Sequence, residues 1–175
     1  MEYYLKIIST YWSQITILLL ALGYLLKLYL NYLTKKKEIN HSLFQKMMMD
    51  SVYAFYNSYS QIEELWRDLP LLRIKDGQYS PKELDDMIFP FLNDIKNRSV
   101  QLRLFFEVNE IKLFEKIVSN FYVINSKVSE IYMNHQTGVN YINASVDYEN
   151  LKDQITTDNS ILINQISAMI RKKFK

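Results

Sequence analysis

Residues 7–26 form an uncharged run of twenty residues that is bounded by Lys6 and Lys27. A helix needs about 20 predominantly apolar residues to cross a hydrocarbon core of about 30 Å. The run therefore predicts a single transmembrane helix. The remaining residues then form a part of the protein that is attached to this membrane anchor.

A cleaved signal peptide would share the apolar run, but it would have a basic start, a shorter apolar region and a small-residue cleavage site. Here apolar residues continue beyond Ala21-Leu-Gly23 as far as Leu33. Aromatic residues flank both ends, as in the two interfacial belts of a membrane helix: Tyr3, Tyr4, Tyr11 and Trp12 before the middle of the run, and Tyr24, Tyr29 and Tyr32 after it. We predict a retained anchor over residues 1–34.

Basic residues are unequally distributed around this run. Lys6 precedes it, whereas Lys27, Lys35, Lys36 and Lys37 follow it. The positive-inside rule then places the N-terminus outside the cell and residues 35–175 in the cytoplasm. This predicts a single-pass protein of the cell inner membrane.

Residues 35–175 carry four apolar stripes with helical spacing, and they show no strand pattern. The first stripe alternates steps of four and three residues, a spacing also found in coiled coils, and nothing from Leu33 to its end breaks a helix. The stripes are Met48, Val52, Phe55, Tyr59, Ile62, Trp66 and Leu69; Leu84, Ile88, Phe91, Ile95, Leu102 and Phe106; Phe114, Ile117, Phe121, Ile124, Val128 and Ile131; and Tyr148, Leu151, Ile155, Leu162, Ile166 and Met169. They predict an all-α fold in which the transmembrane helix continues into an antiparallel bundle of about four helices.

Local signals predict the helix ends. Asp76-Gly77 is a turn signal, and Ser80 followed by Pro81 and Glu83 forms a capping box that begins the second helix of the bundle. Pro90 is expected to kink or split that helix. The other predicted boundaries are an N-cap at Asn109, a loop over residues 134–144 and a last helix that begins near Ser145.

An even number of antiparallel helices returns the basic C-terminus to the membrane end of the bundle. Residues 38–170 carry twelve Lys and Arg against eighteen Asp and Glu, so the middle of the chain is acidic. Basic residues beside a membrane attract anionic lipid by about 1 kcal/mol each. The predicted lipid contacts are Lys35, Lys36, Lys37, Arg171, Lys172, Lys173, Phe174 and Lys175. Alternatively, the basic end only complements the helix dipole.

Apolar residues also occur in the two loops at the opposite end of the bundle. These are Leu71, Leu72, Ile74 and Tyr79 in one loop and Tyr141 in the other, and they form a candidate partner-contact surface. The alternative is that the same side chains plug the end of the bundle.

The chain offers few residues for catalysis. It has no cysteine, its three glycines are isolated, and Glu38-Ile-Asn-His41 supplies one of the two Glu-x-x-His motifs of a di-iron bundle. We predict no enzyme activity, metal or cofactor. Because the body is acidic and the basic ends lie near the membrane, we also predict no nucleic-acid binding.

These patterns predict a non-enzymatic, membrane-anchored interaction or scaffold protein that contacts a protein partner or another copy of itself. A first alternative is a membrane-acting effector or toxin-like component, for example in phage defence, whose span disturbs the bilayer. A second alternative is a ligand-binding sensor bundle, which requires the inverted topology.

Overall fold

A computed structural model describes residues 2–137 and 142–173, which form five helices and contain no strand. The helices are α1 (Glu2–Asp68), α2 (Leu71–Lys75), α3 (Pro81–Leu102), α4 (Val108–Thr137) and α5 (Ile142–Lys173). The all-α prediction is therefore confirmed, and α1 continues without a break from Leu33 to Asp68, one residue before the end of the first stripe.

The chain divides into two compact units, Met1–Met47 and Met48–Lys175. The predicted domain boundary, after Thr34, lies earlier because it was placed by membrane length and charge. The division in the structure follows side-chain burial: every buried side chain described in α1 lies at or after Met48.

The second unit has a single apolar core to which all four stripes contribute. All seven residues of the first stripe, six in α1 and Leu69 just after it, are at most 8% exposed, and all six of α4 are buried. In α3, Phe91 is only half-buried, whereas Leu92 is fully buried. In α5, Tyr148, Ile155 and Ile166 are buried, and the other three stripe residues are half-buried. The helical periodicity thus identified the core faces with few exceptions.

Side-chain contacts show that neighbouring helices of the second unit run antiparallel. Between α4 and α5, Asn120 pairs with Asn159 and Glu110 pairs with Lys173. Between α3 and α4, Arg103 pairs with Glu115. The α1–α5 contacts are Tyr56 with Ser167 and Trp66 with Tyr148. In each pair of helices with two such contacts, residue numbers rise along one helix and fall along the other.

Helices α1 and α4 run parallel to each other. Ring centroids lie 5.0 Å apart for Phe55 and Phe114 and 5.6 Å apart for Tyr59 and Phe121, so residue numbers rise together. Helix α5 thus runs antiparallel to both α1 and α4, an arrangement typical of helical bundles.

The α3 start was predicted correctly. The Ser80 side chain accepts from the Glu83 backbone N–H, and the Glu83 carboxylate accepts from the Ser80 backbone N–H at 2.7 Å. Gly77 has a φ of 65°, which suits glycine in the turn before this cap. The Ser80 backbone N–H and the Ser80 hydroxyl both donate to the Glu83 carboxylate, and these two bonds lower the pKa of that carboxyl.

Other predicted helix ends were wrong. Helix α4 begins at Val108, before Asn109, because the Glu110 carboxylate accepts from the Glu107 backbone N–H and supports an earlier first turn. The loop between α4 and α5 is shorter than residues 134–144, since α4 reaches Thr137 and α5 starts at Ile142.

Pro90 lies inside α3 without splitting it. A proline removes one helical hydrogen bond from the carbonyl four residues earlier, here that of Asp86. Asp86 is exposed, so water can hydrogen-bond to that carbonyl, and the helix continues.

Candidate functional site

The first unit presents apolar side chains to its surroundings. Leu18, Leu20 and Leu26 are each more than 60% exposed, and the flanking Tyr3 and Tyr4 are more than 70% exposed. In the described part of the chain, α1 alone contains a segment that is long and apolar enough to cross a membrane, and none of its most apolar window is buried. Continuous apolar surface of this kind marks a contact site for lipid or protein.

The predicted lipid-contact residues belong to both units. Lys35, Lys36 and Lys37 are exposed on α1 in the first unit. Arg171 and Lys172 are exposed at the end of α5 in the second unit. Phe174 and Lys175 lie outside the described residues. The sequence predicts that the lysines of α1 and the basic end of α5 lie close together, and this stays a prediction.

Lys173 has two partners within the bundle. Its Nζ lies 2.7 Å from the Glu110 carboxylate and 5.1 Å from the centre of the Phe106 ring. Burial raises the pKa of Glu110, but hydrogen bonds from Lys173 and from the Glu107 backbone outweigh burial and lower that pKa overall. Lys173 therefore links the end of α5 to the start of α4.

The predicted partner-contact surface separates into core and surface residues. Ile74, in the short helix α2, is fully buried. Leu71 and Tyr79 are half-buried and pack against the core. Leu72 alone of the described four is largely exposed, at 73%. Tyr141 lies outside the described residues. Three of these side chains thus pack on the core, and Leu72 remains exposed.

The single Glu-x-x-His motif lies on an exposed part of α1. His41 Nε2 is 3.0 Å from Gln45 Nε2 on the next turn. Within residues 2–137 and 142–173, no group of three His, Cys, Asp or Glu side chains is arranged to hold a metal ion.

A cleft between α1, α4 and α5 was not predicted from the sequence. We call it the Trp66 cleft, and its volume is about 390 Å³. Its lining residues are Glu63, Trp66, Arg67, Phe121, Ile124, Lys152, Asp153, Ile155, Thr156 and Asn159. The aromatic and aliphatic members are buried in the core, whereas Arg67, Asp153 and Thr156 are exposed at the rim. The cleft therefore has a mainly apolar interior, with Asn159 as its buried polar side chain, and a polar mouth.

The Trp66 side chain in this cleft has an unused donor. Trp66 is 2% exposed, and its indole Nε1–H is buried without an acceptor among the described residues. Its backbone carbonyl, in contrast, accepts from the Tyr148 hydroxyl at 3.3 Å. Burial, followed by the nearby Glu149 charge, raises the pKa of Tyr148, so this hydroxyl remains a donor at neutral pH.

Polar residues next to the cleft form a second group that the stripes missed. Asn159 is 1% exposed and its side-chain oxygen accepts from Asn120 Nδ2 at 2.7 Å. On the rim, Glu63 accepts from the Tyr59 hydroxyl at 2.9 Å. Burial first, and then this hydrogen bond, raises the pKa of Tyr59. Asn120 and Asn159 each lie at helical spacing from apolar residues of their stripes. This spacing was the sequence signal that could have identified them as buried.

Comparison of the chain with protein-family models, with curated proteins and with solved structures gives no match. The functional argument therefore depends on the residues and their arrangement.

Proposed function

We propose that this chain is a membrane-anchored interaction protein, with the apolar part of α1 in the bilayer and the helical bundle on the cytoplasmic face. The observation that supports it most is the exposed apolar window of α1, which contributes nothing to the bundle core. A segment with these properties is stabilised when lipid covers it.

Exposed apolar residues on the bundle support the interaction role. Leu72 in the short helix α2 is 73% exposed, and Leu104 in the α3–α4 connection is 77% exposed. Either residue can be covered by a partner protein or by a second copy of the chain.

Membrane insertion is tested by alkaline carbonate extraction of cells that express the full chain. We expect the parent chain to stay with the membrane pellet. Leu18→Arg combined with Leu22→Arg should release it, because an arginine at the centre of a span costs about 2.5–3.5 kcal/mol. The matched control is Leu72→Arg with Leu104→Arg, two leucines of the bundle that are more exposed than Leu18 and Leu22, which should not change the extraction. Release of the parent chain would contradict the anchor.

Orientation is tested with a reporter fused after Lys175 that is active only outside the cytoplasm. The lysine asymmetry predicts an inactive reporter. An active reporter would overturn the cytoplasmic placement and would favour the sensor alternative.

A further inference from the structure

We infer that the Trp66 cleft binds a small, uncharged, mainly apolar molecule that carries a hydrogen-bond acceptor. This inference is independent of the membrane proposal, because every lining residue belongs to the second unit.

The size and walls of the cleft suit such a ligand. Small-molecule pockets have volumes of about 300–1,000 Å³, occur between the helices of bundles, and combine apolar walls with a few polar groups. The Trp66 cleft, at about 390 Å³, lies at the lower end of that range. Phe121, Ile124 and Ile155 supply aromatic and aliphatic wall, which favours a ligand of about the size of one substituted ring.

The indole N–H supplies the specific polar contact. A buried donor without an acceptor costs about 1–3 kcal/mol. A ligand carbonyl or ether oxygen that reaches Trp66 Nε1 would remove this cost, whereas a hydrocarbon of the same shape would not. Because the nitrogen is itself buried, the acceptor reaches it after a side chain of the wall rotates.

The charges around the mouth favour a neutral ligand. Two acids, Glu63 and Asp153, face two bases, Arg67 and Lys152. Both bases already have acidic partners: Arg67 lies 3.6 Å from Glu64, and Lys152 lies 2.5 Å from Glu149. The rim thus has no net charge, and its cations are engaged with protein carboxylates.

The test uses the full chain in detergent micelles with Trp12→Phe, so that Trp66 gives the remaining indole N–H signal in a ¹H–¹⁵N NMR spectrum. Acetophenone and ethylbenzene are the two probes, because they have similar size and only acetophenone has an acceptor. We expect acetophenone to move the Trp66 signal downfield in a saturable manner and ethylbenzene to give a smaller shift without the downfield component.

Two matched variants separate binding in the cleft from partitioning into the micelle. Thr156→Phe fills the mouth and should weaken acetophenone binding about tenfold, a loss of about 1.4 kcal/mol. Thr157→Phe places the same side chain on the neighbouring exposed position, which does not line the cleft, and should leave binding unchanged. An unmoved Trp66 signal at millimolar acetophenone, equal shifts with both probes, or equal binding by both variants would overturn the proposal. The parent titration decides the matter even if one variant fails to fold.

Discussion

Asn120 and Asn159 meet inside an otherwise apolar interface between α4 and α5. Both are at most 5% exposed, and they share a 2.7 Å hydrogen bond. A buried amide without its partner is costly, so this pair favours the one alignment of α4 and α5 that brings the two side chains together. A buried Ser58 hydroxyl likewise donates to the Asp94 carboxylate and links α1 to α3.

We expect Asn120→Leu and Asn159→Leu each to destabilise the bundle by about 1–3 kcal/mol, because each leaves one buried amide unpaired. The double variant should lose less than the sum of the two single losses, since no orphaned amide then remains. Urea unfolding of the full chain in detergent, followed by circular dichroism, measures all four proteins. Additive losses would show that the hydrogen bond contributes no coupling.

The Glu110–Lys173 pair predicts a pH dependence of stability. The folded-state pKa of Glu110 is below its ordinary value of 4.5, so the unfolded chain binds more protons between these two pKa values. The stabilisation is therefore present above pH 4.5 and is lost as pH falls through the folded-state pKa.

Acidification from pH 6 to pH 3 should thus destabilise the parent more than Glu110→Gln, by up to about 1 kcal/mol for a partly exposed pair. The measurement is the free energy of unfolding at both pH values. Glu107→Gln, at an exposed position of the same turn, should retain the parent's pH dependence. A Glu110→Gln protein with the same acid sensitivity as the parent would refute the assignment.

At the scale of elements, α3 shows how a few local residues determine a helix start. Its first turn has both hydrogen bonds of the capping box, with Pro81 at the first helical position. The cap satisfies backbone donors that have no partner inside the helix, and the acidic Glu83 also complements the positive end of the helix dipole.

Replacing this cap should destabilise the bundle measurably. Ser80→Ala is expected to cost about 1 kcal/mol. Ser42→Ala is the matched control, because Ser42 lies in the interior of α1, is exposed and bonds the Ile39 carbonyl of its own helix. That control should change stability by less than about 0.5 kcal/mol. Equal effects of the two substitutions in thermal unfolding would argue against the capping box as a source of stability.

In the whole molecule, every described residue of the core cluster lies at or after Met48. This distribution of core residues predicts that the membrane anchor can be deleted without loss of folding of the bundle.

We expect a chain of residues 48–175 to fold as a helical, water-soluble protein with cooperative thermal unfolding. The full chain, in contrast, should require detergent or lipid. Circular dichroism and size-exclusion chromatography of the shortened chain test this, and a substitution in its core, Ile62→Ala, should lower stability by about 2–5 kcal/mol. Ile161→Ala, at a 52% exposed position, should have little effect. A shortened chain without cooperative unfolding would show that the bundle needs its first 47 residues.

Features that arise from neighbours along the chain could be predicted from the amino-acid sequence. The stripe from Met48 to Leu69, the capping box at Ser80 and the Asp76-Gly77 turn were all predicted correctly, because helical periodicity and capping involve residues within a few positions of each other. The apolar run of residues 7–26 is likewise a local property, and it predicts a membrane span by length and composition.

Contacts between residues of distant segments could be identified only from the folded structure. The burial of Ile74, the Asn120–Asn159 pair and the engagement of Lys173 by Glu110 each depend on a second helix that periodicity does not identify. The Trp66 cleft is the clearest case, since its walls come from three helices and its unused donor is apparent only when all neighbours of the indole are known. A stripe specifies which face of a helix is buried, and packing specifies what covers that face and where space is left.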